Sequence, residues 1–216
     1  MDASIVEAPK QRNTKEEKAD IKAGRIPERW KDKPHKLRQK DRDARWTLKR
    51  GRVRIDEDGR EREGLLIPAF GYKNHVSIDR RHGIIRRMKV TDAAAHDGAR
   101  LREGLIDPSN TASDVWADTA YRSAANEEWL ARHGRRSRVH HRKPKGKPMP
   151  AHMAHGNRAK SRIRAKVEHV FAEQKERMGL FIRTFGLKRA EAMITLANMA
   201  YNMKRWCWLD RRGAPA

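Results

Sequence analysis

The texture of the chain changes at residue 67, and that boundary limits where a folded domain can lie. Upstream, "KQRNTKEEKADIKAGRIPERWKDKPHKLRQKDRDARW" mixes both signs of charge with almost no periodic apolar positions. A segment of that kind has little to bury, so residues 10–66 are expected to form an irregular or disordered basic insertion. Downstream, "IPAFGYKNHVSID" alternates as a strand does and "GIIRRMKVTDA" repeats the pattern. His82-Gly83 between them suits a hairpin turn, which predicts two antiparallel strands. "VWADTAYRS", residues 115–123, supplies a further strand that ends on a carboxylate, Asp118, and "SRVHH" a short one. Leu101 and Leu105 mark a short helix that Pro108 stops, and residues 123–133 read as a helix capped by Ser123 and closed at Gly134. Two long helical patterns finish the chain, from Asn157 to about Met178 and from about Lys188 to Trp206. Strands, then alternation, then helices predict an α/β domain with a mixed sheet over residues 67–206, followed by a tail at 207–216.

Charge narrows the partner. The 216 residues carry 51 Lys and Arg against 28 Asp and Glu, a formal net charge of +23, so a polyanion is the natural ligand. No apolar run approaches the ~20 residues of a spanning helix and no signal-peptide pattern opens the chain, which favours nucleic acid in the cytoplasm over a membrane surface. The single cysteine, Cys207, excludes an internal disulfide and a cysteine zinc cluster; between two tryptophans it reads as a packed thiol.

The positive charge is concentrated. Between Glu128 and Glu168 there is no acidic residue, but there are thirteen Lys or Arg and five histidines. A charge run is usually a solvated face, yet a run of one sign repels itself unless phosphates neutralise it. Arg135, Arg136, Arg142, Lys143, Lys145 and Lys147 are therefore candidate DNA contacts. The histidines lack the spacing of metal ligands.

In "SRIRAKVEHVFAEQK", Ile163, Val167, Val170, Phe171 and Met178 share one helical stripe, and Arg164, Glu168 and Lys175 form a column beside it. By helix geometry alone such a column is an ordinary surface ion-pair ladder, worth a few tenths of a kcal/mol per pair. Its spacing, however, resembles the R-(3)-E-(6)-K signature of bacterial insertion-sequence transposases of the DDE superfamily, with Ser161 where that signature has a tyrosine. "GYKNHVSID", "VTDAAAHD", "VWADTAYRS", "RAKVEHVFAEQK" and "NMAYNMKRW" follow the order of the group typified by insertion sequence five, and "DASIVEAP" resembles its stretch around the first aspartate.

The resemblance implies a ribonuclease-H-like mixed sheet flanked by helices and a catalytic, metal-binding set of Asp2, Asp118 and Glu168. Two Mg²⁺ ions, with Mn²⁺ able to substitute, would serve strand cleavage and then transfer of the freed 3′-hydroxyl to target DNA. It also implies phosphate contacts by Arg164 and Lys175, double-stranded DNA as partner at element ends and target, a homodimer, and a bacterial, nucleoid-associated setting. In that fold the strand with the first aspartate is central, and here only Met1 precedes Asp2. The chain therefore resembles the C-terminal portion of a longer transposase, residues 1–9 being the rest of a first strand, and is expected to be weakly folded with little strand transfer. The alternative is a non-catalytic DNA-binding remnant that occupies DNA or inhibits the full-length enzyme. A nucleoid or ribosomal protein ranks lower, because neither role explains three acids at family positions. Among the other acids, Asp79 and Asp92 read as turn or cap residues, Asp97 as a helix cap, and Asp41, Asp43, Asp56 and Asp58 as solvated.

Overall fold

The alternation that begins at residue 67 forms the spine of the sheet. In the computed structural model, which describes residues 1–51, 54, 55, 57, 61, 62 and 64–213, the order is β1 (Asp2–Glu7), α1 (Lys15–Lys22), α2 (Glu28–Lys31), α3 (Pro34–Gln39), β2 (Arg45–Arg50), β3 (Arg54–Ile55), β4 (Glu61–Arg62), β5 (Leu66–Ile78), β6 (Ile85–Asp92), α4 (Asp97–Arg100), β7 (Asp114–Val115), α5 (Ala124–Arg132), β8 (Arg136–Ser137), α6 (Ala151–Ala172) and α7 (Leu187–Asp210). A π turn, Glu173–Arg177, continues α6.

All three partners of β5 run antiparallel to it: β1 from Asp2↔Val76 to Glu7↔Gly71, β2 from Arg45↔Gly71 to Arg50↔Leu66, and β6 from Tyr72↔Asp92 to Ile78↔Ile85. Gly71 is required where β1 crosses, because a Cβ there would stand 2.2 Å from the Val6 carbonyl oxygen. At the predicted hairpin, Gly83 takes a positive φ of 73° while the Asp79 carboxylate accepts from the amides of His82 and Ile84. The mixed character expected of the sheet is confined to a separate parallel pair, β7 with β8. A hydrogen bond from the Met1 ammonium to the Trp116 carbonyl, 2.7 Å, joins that pair to the edge of the main sheet.

Residues 10–66 differ from the irregular segment expected. Thr14 and Glu17 form a reciprocal capping box that starts α1, a T-x-x-E signal legible in "TKEE". Trp30 is fully buried and donates its indole N–H to Glu17 Oε1 at 2.7 Å. Asp41, read as solvated, is buried and accepts the Tyr72 hydroxyl at 2.6 Å together with the amides of Asp43 and Ala44. Asp43 accepts the amide of Leu187 and so caps α7. Here a few well-placed polar contacts replace the periodic apolar face whose absence suggested disorder. Asp56 and Asp58 lie outside the described residues.

Three apolar clusters make the core. Val6, Phe70, Tyr72, Val90 and Ile194 pack the sheet against α7; Val76, Val167, Val170, Phe171 and Tyr201 pack it against α6; Leu101, Leu105, Val115, Tyr121 and Val139 surround β7 and α5. The first long helix starts earlier than predicted, α6 at Ala151 behind Pro150, whereas α7 starts where expected, at Leu187 behind Gly186, and runs on to Asp210. Cys207 is exposed, not packed.

Between the sheet and the helices lies a buried amide triangle. Asn74 Nδ2 donates to Asn198 Oδ1 at 2.9 Å and Gln174 Oε1 at 3.2 Å, and Gln174 Nε2 donates to Asn198 Oδ1 at 2.6 Å. Asn198→Leu would leave Asn74 Oδ1 and Gln174 Nε2 without a partner at about 1–3 kcal/mol each, lowering Tm by roughly 5–15 °C. A Tm within a degree or two of the parent in a thermal melt would show that water substitutes for the missing partner.

His75 gives the fold a pH dependence. Its ring is fully buried on β5, with Nε2 on Thr91 Oγ1 at 2.9 Å, and burial lowers its pKa from 6.5 to about 4. Between those values the unfolded chain binds the extra proton, so stability rises with pH there and is lost as pH falls from 6.5 towards 4, on the order of 3 kcal/mol in all. Denaturant titrations of the parent and His75→Gln across that range should converge at the acid end; parallel curves would refute the assignment.

Candidate active site

Arg164 organises the acids. From the middle of α6 its guanidinium reaches Asp2 Oδ2 on β1 at 2.6 Å through Nη1 and Glu168 Oε1, one turn on, at 3.0 Å through Nη2. Asp2 is largely buried and Glu168 largely exposed, with side chains 15% and 57% accessible. Burial raises the Asp2 pKa above the usual carboxylate range, Arg164 opposes that, and Asp118 adds to it by repulsion.

Asp118 stands at the end of an extended run. Arg138 N–H donates to Val115 and His140 N–H to Ala117, so pairing along β8 carries on past β7 almost to the aspartate. Its own carboxylate accepts the Ala120 amide at 2.7 Å and caps the 3₁₀ turn Thr119–Tyr121, which fixes its orientation. The Tyr121 hydroxyl is buried near Asp2, Asp97 and Asp118, and burial followed by those three charges raises its pKa. The Met1 ammonium lies in the same field, and burial lowers its pKa from 8.0 to about 6.

Among the described residues no three His, Cys, Asp or Glu side chains come close enough together to hold a metal ion. Asp2 and Glu168 share an arginine instead, with Asp118 near Asp2. The donor chemistry still fits a hard divalent cation: all three groups are carboxylates, and the repulsion between buried Asp2 and Asp118 is what such a cation would relieve.

The acid-free interval divides into two kinds of base. Arg135 donates to the carbonyls of Pro108, Asn110 and Ala112, and Arg136 pairs with Asp114 at 3.1 Å. Arg142 contacts the Thr119 carbonyl. Lys143, Lys145 and Lys147 are exposed and form no ion pair among the described residues. The loop is anchored where Asn157 of α6 exchanges two hydrogen bonds with the His141 backbone and Lys160 reaches the Val139 carbonyl.

Residues 68–203 match the model of the transposase DDE domain. The chain belongs to that family. It is also 28% identical over 179 residues, 82% of this chain and 55% of the relative, to the transposase for insertion sequence element IS1106 of Neisseria meningitidis serogroup B. The chain thus spans about half the length of that relative. No solved structure matches it significantly. The matched part of the DDE domain contains Asp118 and Glu168; Asp2 precedes it.

Other residues of this DDE domain depart from the sequence reading. Lys175 falls within the π turn, outside the regular α-helix that carries Arg164 and Glu168; desolvation, then Lys49, lowers its pKa. Asp97 does not cap α4 but binds Lys73 at 2.8 Å, 3.9 Å from the buried His75. His140, beside Asp118 and Arg164, has its pKa lowered first by burial and then by Arg164, and its Nε2 lies 3.5 Å from Ser161 Oγ, the position at which the signature has tyrosine. Such contacts across the fold leave no spacing signal.

The two kinds of base separate experimentally. Replacing Lys143, Lys145 and Lys147 by Gln should flatten the log–log salt dependence of DNA binding by about two to three units, at roughly 0.9 per phosphate contact, with Tm unchanged. Arg135→Gln should lower Tm and leave the slope nearly intact. Anisotropy titrations over a salt series check both, and an unchanged slope in the lysine variant would move the binding surface elsewhere.

Proposed function

We propose that the chain is the catalytic portion of a DNA transposase that cleaves and transfers DNA strands of an insertion sequence. The observation that carries this reading is the convergence on Arg164 of Asp2 and Glu168, 166 positions apart in sequence, with Asp118 in the same electrostatic field. A ladder of surface ion pairs would need no partner from β1. The strand order supports a ribonuclease-H-like sheet: β6, β5 and β1 are successive antiparallel neighbours, and the Met1 bond to Trp116 puts β1 next to the parallel pair β7 and β8.

Asp2, Asp118 and Glu168 would hold the divalent ions. Two Mg²⁺, or Mn²⁺, held there supply activation of the attacking oxygen and stabilisation of the leaving one in an in-line displacement at phosphorus. The chain's own groups do the rest. Arg164 neutralises Asp2 and Glu168 in the free protein, and its planar fork then binds a DNA phosphate bidentately. The Ala120 amide holds the Asp118 carboxylate in place. Lys143, Lys145, Lys147 and Arg142 hold the duplex by its backbone, and Lys175 is a further phosphate contact. Double-stranded DNA at element ends and target is the partner. A cavity of 410 Å³ beside Met1 is walled by Ile78, Trp116, Arg164 and Val167.

Asp118→Asn and Glu168→Gln, made in a form of the protein that cleaves, should each abolish Mg²⁺-dependent nicking of element-end DNA. DNA affinity should stay the same or rise, because a negative charge beside the phosphate is lost. Cleavage at near-parent rate in either variant would remove that residue from the site. DNA binding without cleavage by every form of the protein would favour the non-catalytic remnant.

A further inference from the structure

Among the described residues nothing covers the outward face of α7. Ile194, Asn198 and Tyr201 point into the core, while on the opposite side Met193, Leu196, Met199, Met203 and Trp206 are 42%, 58%, 55%, 67% and 57% exposed. Between Ala192 and Cys207 this stripe carries no charged residue, in a chain of which 37% is charged. It offers nothing to neutralise phosphate, so the DNA that suits the basic loop does not suit this face.

The stripe repeats every seven residues, the period that keeps a seam straight along a partner helix. Its positions are also symmetric about a point between residues 199 and 200. A two-fold axis there would set Met193 against Trp206 of the second copy, Leu196 against Met203, Met199 against Ala200, and Ala192 against Cys207. At the ends of the seam the same axis brings Arg189 against Asp210. Both are exposed and neither forms an ion pair among the described residues. A parallel pair would oppose each charge to its own copy and align the helix dipoles, so charge favours the antiparallel arrangement.

We propose that this face binds a second copy of the chain through an antiparallel, two-fold α7–α7 contact. A large side chain meets a small one at Met199–Ala200, and the small pair Ala192–Cys207 lies beside Trp206, which lets the helices approach to the ~8–10 Å of close packing. The exposed stripe amounts to roughly 600 Å² per copy, near the lower bound of specific interfaces, so association should depend on protein concentration. An interface of this isologous kind closes on itself and leaves the basic loop of each copy free. The proposal names the partner in the homodimer that the transposase reading implies, but its test reads no cleavage, so either can fail alone.

Cysteine crosslinking tests the geometry on the full chain. Antiparallel pairing puts residue 192 of one copy beside Cys207 of the other, within the Cα separation a disulfide spans. Ala192→Cys should therefore form a covalent dimer under mild oxidation, whereas the parent and Ala192→Cys/Cys207→Ser should not. A crosslinked parent would mean that Cys207 meets Cys207 and the helices are parallel, which overturns the proposal. Sedimentation should find the parent dimeric at tens of micromolar and Leu196→Glu/Met203→Glu monomeric with an unchanged melt; a monomeric parent sinks the idea. Arg189→Glu should weaken association about three- to tenfold, and adding Asp210→Arg should restore it. Failure of that rescue would remove the end-to-end ion pairs from the arrangement.

Discussion

The amide triangle of Asn74, Gln174 and Asn198 sets how the two long helices sit on the sheet. Apolar contacts between α6, α7 and β5 tolerate sliding by part of a turn, since dispersion and burial are not directional. Three mutually bonded amides in a buried site do not, because any slide leaves a donor or acceptor unpaired. The π turn follows from the same demand: residues 173–177 widen the helix, Met178 N–H reaches back to the Glu173 carbonyl, and Gln174 is turned inward to the other two amides. With α6 held there, Arg164 meets β1.

That meeting decides the electrostatics of the acid site. A buried aspartate near a second aspartate is unstable as an anion unless something positive stands beside it, and Arg164 provides the charge while also pairing with Glu168. The pair is partly solvent-exposed on the Glu168 side, so its strength there is small and it can open. In the proposed function that guanidinium offsets part of the acids' charge in the free protein and becomes free for a phosphate when cations replace it beside the carboxylates.

Much of this was readable from residue types. The strands of the hairpin, the Ser123 cap and the buried stripe of α6 followed from periodicity and capping chemistry, and Val167, Val170 and Phe171 are indeed buried. Residues 10–66 were misjudged because Trp30, Glu17, Asp41 and Asp43 act singly through hydrogen bonds, which leave no period. Asp118 and Glu168 are assigned by resemblance to a family the chain belongs to; helix geometry alone reads Glu168 as one half of a surface ion pair, and what that geometry misses is that Arg164 also reaches Asp2 on β1. The amide triangle gave no signal, since an Asn on an apolar face reads as an exposed edge until its partners are seen.

Net charge hides how many bases the fold itself uses. Of the bases in the acid-free interval, Arg135, Lys160 and Arg164 are spent on carbonyls or carboxylates of the chain itself, and Arg136 and Arg138 share Asp114. These arginines hold the connection between β7 and α6 in a shape that a short parallel pair could not stabilise alone. Lys143, Lys145 and Lys147 carry no such duty among the described residues, and in the proposed function their three-donor ammonium groups on flexible stems suit a duplex approached at varying registers. The interval therefore has bases that bond the chain itself, such as Arg135, Arg136 and Lys160, and exposed lysines without an ion pair among the described residues, and sequence composition counts the two alike.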